Sequence, residues 1–213
     1  MEPPSTESAN DCPSLGRHTW RVSLHPELPI YTERLLLRAL APTDVQALLS
    51  YHGLAEVHRF LPSPPMTEDE VLTRLDHGSW SRSTLDSEGD FLYLGAQLLD
   101  RPELIGDVML HWRSEKHETV EIGYVFHPNY RGQGYATEAS RVALSLAFTG
   151  LNTHRVVAYI DSENNDSIRL AERLGMSRDG LMRENKLIEG DRRSELVFSI
   201  LRHEWERAYL RIS

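Results

Sequence analysis

The spacing of apolar positions changes several times along this chain, and each change marks an element. Residues 33–39, Glu-Arg-Leu-Leu-Leu-Arg-Ala, form a compact apolar run that predicts a strand. A helix start follows at Ala41–Gln46, where Thr43 and Gln46 stand at capping-box spacing and Val45, Leu48 and Leu49 make one stripe. Thr67 and Glu70 repeat that spacing ahead of Val71, Leu72 and Leu75. Between the two helices, the segment Phe60–Met66 holds three prolines and reads as a loop. Residues 90–98 and 104–112 predict two strands around the turn-forming Asp100-Arg101-Pro102, and residues 119–127 predict a third. From Thr137, the residues Ala139, Val142, Ala143, Leu146 and Ala147 return at helical spacing to Phe148, a stripe read as core packing. Arg155–Ile160 is a short apolar strand, and residues 164–176 read as a helix ending at Gly175. Residues 178–188 and 193–201 are two further strands joined by Glu189-Gly190-Asp191, and His203–Leu210 predicts a final short helix. Runs of strands interleaved with helices predict an α+β domain: a twisted mixed sheet of about seven strands, mostly antiparallel, with helices on both faces.

The bulk properties narrow the class. At 213 residues with no internal linker or repeat, a single domain is expected over residues 26–213. Residues 1–17 are rich in Pro, Ser, Glu and Asn, so residues 1–25 are assigned to a disordered extension. The formal charge of −9 argues against a general nucleic-acid surface and suits an amine-bearing partner. One cysteine, Cys12, cannot close an internal disulfide, which fits a reducing, cytoplasmic setting. No apolar run approaches a membrane span, and the acidic start is not a signal peptide. The ten histidines show no zinc spacing, so no metal site is expected.

Candidate chemistry concentrates at Arg131-Gly132-Gln133-Gly134-Tyr135-Ala136, between the strand ending near Phe126 and the helix from Thr137. A glycine-rich turn lets the backbone approach a ligand, and the unpaired first amides of a helix favour an anion. Arg131 adds a fixed positive charge, so a phosphate or diphosphate is the expected guest. Two familiar loops do not fit. No Lys-Ser or Lys-Thr follows Gly132 or Gly134, as a P-loop needs, and Ala136-Thr137 stand where a dinucleotide fingerprint needs its third glycine.

The remaining pattern, Arg131 with Gly134 and Ala136, resembles the GCN5-related N-acetyltransferases (GNAT), whose loop of this form holds the diphosphate of acetyl-coenzyme A. Glu121-Ile122-Gly123-Tyr124-Val125-Phe126-His127-Pro128 is similar to that family's central strand. Asn164-Asn165-Asp166-Ser167, running on to Leu174-Gly175-Met176, is similar to its Asn-x-x-Ser helix. Thr32–Arg38 looks like the opening strand of the branch that acetylates N-termini of ribosomal proteins. The resemblance spans roughly residues 30 to 202. It implies acetyl-CoA as co-substrate and an amine acceptor, either a protein N-terminus or a small amine; a homodimer is common in that branch. It also implies a bulged central strand that opens a V-shaped gap near Tyr124, Val125 and Phe126. Cofactor-binding residues by this correspondence are Tyr124, Val125, Phe126, Arg131, Gly132, Gln133, Gly134, Tyr135, Ala136, Thr137, Asn164 and Ser167.

The catalytic assignment follows from what acetyl transfer to an amine requires: a base for the amine, a donor to the thioester oxygen and a proton for the leaving thiolate. Glu121 is the leading base, with Asp161 second and Tyr159 and His111 as further polar groups. The backbone N–H of Val125 is assigned to the thioester carbonyl. Many family members place a tyrosine acid seven residues after the asparagine, and here that position is Ala171. Ser167 is then the candidate donor to the thiolate, against a purely helix-capping role. The absent tyrosine also motivates a different class of function, a module that binds or senses acyl-CoA without turnover. The acceptor pocket is expected from residues 51–66, 111–112 and 182–190.

Overall fold

A computed structural model describes residues 23–188 and 190–209. Cys12, most of the expected extension and Glu189 of the last hairpin lie outside the described residues. Within residues 23–25, which the sequence assigns to the extension, Leu24 is buried and pairs with Leu85.

One eight-stranded sheet organises the chain. Its strands are β1 (Ile30–Tyr31), β2 (Leu35–Arg38), β3 (Phe91–Leu98), β4 (Leu104–Ser114), β5 (Thr119–Phe126), β6 (Arg155–Asp161), β7 (Ser177–Ile188) and β8 (Asp191–Leu201). They lie in the order β1-β2-β3-β4-β5-β6-β8-β7. The strand beyond the expected seven is the two-residue β1. Every neighbouring pair is antiparallel except β5 with β6. That parallel pair needs a crossover, which α4 (Tyr135–Ser145) and the π-helical turn Leu146–Gly150 supply. The other helices are α1 (Val45–His52), α2 (Ala55–His58), α3 (Glu68–Asp76), α5 (Asn165–Arg173) and α6 (Arg202–Tyr209).

Helices cover both faces, as expected, and each face has its own core. On one side Ala139, Ala143 and Ala147 of the crossover join Leu170, Leu174 and Trp205 against Leu92, Leu94, Val120 and Ile122 of the sheet. The alanines let the helix lie close to the strands, which explains the small-residue stripe. On the other side Val45, Leu48 and Tyr51 pack with Val71, Leu75 and Trp80. The Thr67–Glu70 capping box forms as read: Thr67 N–H donates to Glu70 at 2.7 Å and Glu70 N–H to the Thr67 hydroxyl at 3.4 Å.

The Thr43–Gln46 box does not form. Asp44 displaces it, because its carboxylate accepts from Ala41 N–H at 2.8 Å and from both ends of the Arg38 guanidinium at 2.7 Å. A 3-10 turn over Pro42–Asp44 therefore precedes α1. A charged acceptor in a fixed fork outcompetes the neutral cap.

Candidate active site

The feature that creates the site is the parting of β5 and β6. They pair only at Thr119–Arg155, Val120–Val156 and Glu121–Val157. Beyond Glu121 the two strands separate, while β6 stays paired to β8 as far as Asp161. The gap thus opens beside Tyr124, Val125 and Phe126, where the resemblance implies it. Its cause differs from the expectation. β5 pairs with β4 without a register shift from Val120 to Phe126, and the irregularity lies on β4 between Trp112 and Ser114.

That unbroken ladder also corrects one assignment. His127 N–H donates to Ile105 O at 2.9 Å, which fixes the phase of the β4–β5 hydrogen bonds. In an antiparallel pair alternate residues turn their N–H and C=O to the same neighbour. Val125 therefore gives its amide to β4, not to the gap. The main-chain groups turned towards the gap are those of Tyr124 and Phe126.

Beyond β5 comes the glycine turn. Gly132 and Gly134 have φ of 73° and 86°, left-handed values that favour glycine. Gly134 is the N-cap of α4, which starts two residues earlier than the spacing predicts, and the first helical bond is Glu138 N–H to Gly134 O at 3.0 Å. The amides of Tyr135, Ala136 and Thr137 precede that bond, so they have no intrahelical acceptor and point out of the helix start.

The turn is held from outside by residues the motif does not contain. Arg34 Nη1 donates to Gln133 O at 2.8 Å and Arg34 Nε to Glu138 at 2.8 Å. Glu138 also accepts from the Thr32 hydroxyl at 2.6 Å and from Arg34 N–H at 2.9 Å. The Arg34 guanidinium lies 4.6 Å above the Tyr135 ring. Burial works to raise the Glu138 carboxyl, but the bonds from Thr32 and Arg34 prevail and hold it below its ordinary value.

A cavity of about 870 Å³ runs from this turn into the gap. It is lined by every residue assigned to the cofactor except Gln133, whose side chain turns back to Asn129 O at 3.3 Å. Six arginines (34, 59, 131, 141, 169 and 173) line it beside four carboxylates, Glu33, Glu56, Glu138 and Asp166. The cleft is thus locally basic in a chain of net charge −9, which fits a polyanionic guest.

A second cavity of about 730 Å³ lies on the face covered by α1 and α3. Phe60, Leu61, Tyr124, Val125, Asn164 and Ser167 line both cavities, so the two meet at the splayed end of β5 and the start of α5. Asn164, the N-cap of α5, accepts from Ser167 N–H at 3.1 Å. The cap is therefore the asparagine, and the Ser167 hydroxyl is not occupied in that role. Tyr124 donates its hydroxyl to Ser167 O at 3.2 Å, and burial pushes its phenol well up.

Glu121 lines the second cavity, with His111 Nδ1 and Arg113 Nη1 each 3.6 Å from its carboxylate. Burial raises its pKa, only partly offset by Arg113. A carboxylate raised in this way is better matched to a proton-accepting role. Asp161 is committed elsewhere: it takes a bidentate pair from Arg193 at 2.9 Å and the Glu163 N–H at 2.9 Å. Tyr159 lines the same cavity. His111 stacks on Phe91 at 3.9 Å, and burial lowers its pKa. Of the expected pocket segments, His52, His58, Phe60–Ser63, Met66, Met182, Asn185 and Lys186 line the second cavity. The sequence reading missed Asp107, Trp80 and Tyr93 there, because each belongs to a different element and no local motif links them.

Comparison with known proteins agrees with this geometry. The family model for the acetyltransferase (GNAT) domain matches residues 34–177. An uncharacterized N-acetyltransferase of Bacillus subtilis (strain 168), YnaD, is 31% identical over 176 residues, 83% of this chain and 98% of that protein. Spermidine N(1)-acetyltransferase of Escherichia coli (strain K12) is 30% identical over 89 residues, 42% of this chain and 48% of that one. A GNAT-family acetyltransferase structure from Bacillus anthracis superposes with a TM-score of 0.72 at 27% identity, covering 83% of this chain and 99% of the other. With the splayed sheet and the glycine turn, these matches show that the chain belongs to the GNAT acetyltransferase family and is an N-acetyltransferase.

Proposed function

We propose that this protein transfers the acetyl group of acetyl-CoA to a primary amine by direct attack, with Glu121 as base. The meeting of two cavities at Tyr124, Val125, Asn164 and Ser167 carries this reading. The diphosphate rests on the amides of Tyr135, Ala136 and Thr137, and the pantetheine arm follows the gap. The amine enters from the second cavity and gives a proton to Glu121. Its nitrogen bonds to the acetyl carbon and the carbon–sulfur bond breaks. The oxygen that gains charge is met by a main-chain amide of the gap, Tyr124 or Phe126 in place of Val125. The thiolate leaves beside Ser167, whose hydroxyl donates a hydrogen bond to it, and the proton taken up by Glu121 is returned to give the free thiol.

Glu121, which lines the second cavity with its pKa raised by burial, favours turnover over simple acyl-CoA binding. The acceptor class is a primary amine. The spermidine-acetylating relative supports a small amine, and the opening strand Thr32–Arg38 supports a protein N-terminus. Release of free CoA thiol, measured with peptides and small amines in turn, tests the reading. We expect turnover with at least one amine and loss of most of it in Glu121→Gln. Binding of acetyl-CoA with no thiol release across the panel would refute it.

A further inference from the structure

The charged side chains that line the second cavity are matched to one another, with one exception. Asp107, Glu121, Asp161 and Glu195 line it beside Arg74, Arg113 and Lys186. Asp107 accepts from the Tyr51 hydroxyl at 2.9 Å and lies 2.8 Å from His52 Nε2. Asp161 takes the Arg193 fork, and Glu121 has Arg113 at 3.6 Å. Glu195 accepts from Asn185 at 2.5 Å and has Lys186 at 3.8 Å. Arg74 on α3 is the exception: among the described residues it has no salt bridge and no hydrogen-bond acceptor. Glu70, one turn earlier on the same helix, is committed instead to the Thr67 N–H at 2.7 Å and the Thr67 hydroxyl at 3.0 Å.

Arg74 is nonetheless aimed at the cavity. It stands in the last turn of α3, where a cation could bond the final carbonyls, and it makes no such bond. Its guanidinium lies 5.4 Å from the centre of the Trp80 ring, which in turn meets the Tyr93 ring edge-on at 6.0 Å. Its charge reaches the cavity wall: burial raises the Tyr93 phenol against the pull of Arg74, and burial, with a smaller push from Arg74, lowers His58. Arg74 is half-buried, and none of its nitrogens is sealed from solvent. A partly desolvated guanidinium, with its donors in a fixed fork and no acceptor, is matched by an oxyanion. The sheet sets the distance from this cation to the base. Tyr93 pairs with Met109 and Met109 with Gly123, so the three form one row across β3, β4 and β5. Glu121 is two residues from Gly123 and shares its face. Two strand spacings, roughly 10 Å, therefore separate the Arg74 end from the strand that carries the base. Between them the floor is apolar, because Met109 covers Gly123, where a Cβ would stand 2.9 Å from the Met109 methyl.

We propose that Arg74 selects the acceptor, a primary amine that carries an oxyanion roughly 10 Å from its nitrogen across an apolar spacer. The anion seats in the Arg74 fork while the amine faces Glu121 at the other end. The carboxylate of an ω-amino acid and an acidic side chain two residues into a peptide both meet that description. A diamine sets a second cation against Arg74 and is disfavoured. The inference rests on acetyl transfer as proposed above and on the second cavity as the acceptor's chamber.

The small probes are 8-aminooctanoate, octylamine and 1,8-diaminooctane, matched in length. The peptide probes are tripeptide amides ending in glutamate, glutamine or lysine. Steady-state thiol release gives kcat/KM for the wild type, Arg74→Gln and Arg74→Glu. We expect the wild type to prefer the anionic member of at least one set about tenfold over its neutral counterpart. The set that shows the preference identifies the source of the acceptor. Arg74→Gln should erase the preference through KM, with kcat and acetyl-CoA affinity unchanged. Arg74→Glu should reverse it in favour of the diamine or the lysine peptide, a reversal that lost packing cannot produce. Turnover with no preference for the anion in either set, turnover confined to amines without one, or a preference that survives both substitutions overturns the role of Arg74 alone. Absence of turnover with any amine overturns the acetyl-transfer reading and this inference together.

Discussion

Arg34 Nη2 lies 2.6 Å from Glu138 Oε2, joining the chain just before β2 to the first turn of α4 across 104 positions of sequence. The same guanidinium reaches Gln133 O, so one side chain fastens both the turn and the helix that follows. The anion-binding amides are thereby held by a part of the chain remote from the glycine motif. Preorganised donors of this kind bind without first paying to become ordered.

Replacing that anchor should loosen the site without removing a ligand contact. In Glu138→Gln the charge is lost while the shape is kept, and we expect weaker acetyl-CoA binding by isothermal calorimetry. The pH dependence has a definite sign. Because the folded-state pKa of Glu138 lies below its ordinary 4.5, its contribution to stability is complete above the unfolded value and is lost as pH falls through the lower folded one. Thermal melting followed downward from neutral pH should show that loss in the wild type and a shallower one in the variant.

The turn itself admits little change. A Cβ on Gly134 would lie 3.3 Å from Arg34 Nη2, at a φ of 86° that costs an L residue roughly 1–2 kcal/mol. Gly134→Glu adds a negative charge where the diphosphate sits. We expect at least a tenfold loss of acetyl-CoA affinity, about 1.4 kcal/mol or more, with the melting temperature lowered by about 2–8 °C from the backbone strain. A calorimetric affinity equal to wild type would remove the turn from the binding site.

Glu121 provides a kinetic signature. A base works only when deprotonated, and burial raises this carboxyl from 4.5. The logarithm of kcat/KM should therefore rise with pH through an apparent pKa above the ordinary value of a glutamate. Glu121→Gln should lower kcat by about 10²–10⁴-fold and abolish that limb. The variant should not lose stability, because ionising Glu121 disfavours the folded state, whose pKa is the higher one.

Asp161 separates a structural carboxylate from a reactive one. Its side chain is 3% exposed and paired with Arg193. Arg193 is partly exposed, so removing the charge from the buried side should cost about 1–3 kcal/mol, as for a buried group that loses a charged hydrogen-bond partner. Asp161→Asn should lower the urea midpoint, while the turnover of the folded fraction falls far less than in Glu121→Gln. The opposite ranking would make Asp161 the base.

Much of this molecule is legible in its sequence, and the omissions have physical causes. Alternation and turn chemistry locate the seven longer strands, and the small-residue stripe from Ala139 to Ala147 announces a helix pressed onto the sheet. The glycine turn is legible because left-handed φ values demand glycine at fixed spacing. What a local pattern cannot carry is anything set by pairing. Whether Val125 or its neighbours turn their amides to the gap depends on the phase of the β4–β5 ladder, which no spacing along β5 reveals. The Arg34–Glu138 anchor and the placing of Trp80, Tyr93 and Asp107 in the second cavity need the folded chain to bring distant elements together. At Thr43 the capping pattern is outcompeted by Asp44, whose charge finds Arg38 six positions earlier.

A crystal structure of the protein with coenzyme A tests the central claim most directly. The account predicts the diphosphate on the amides of Tyr135, Ala136 and Thr137, and the thiol between the splayed end of β5 and Ser167, where the two cavities join. Coenzyme A bound elsewhere, with the turn making no contact to its diphosphate, would contradict it.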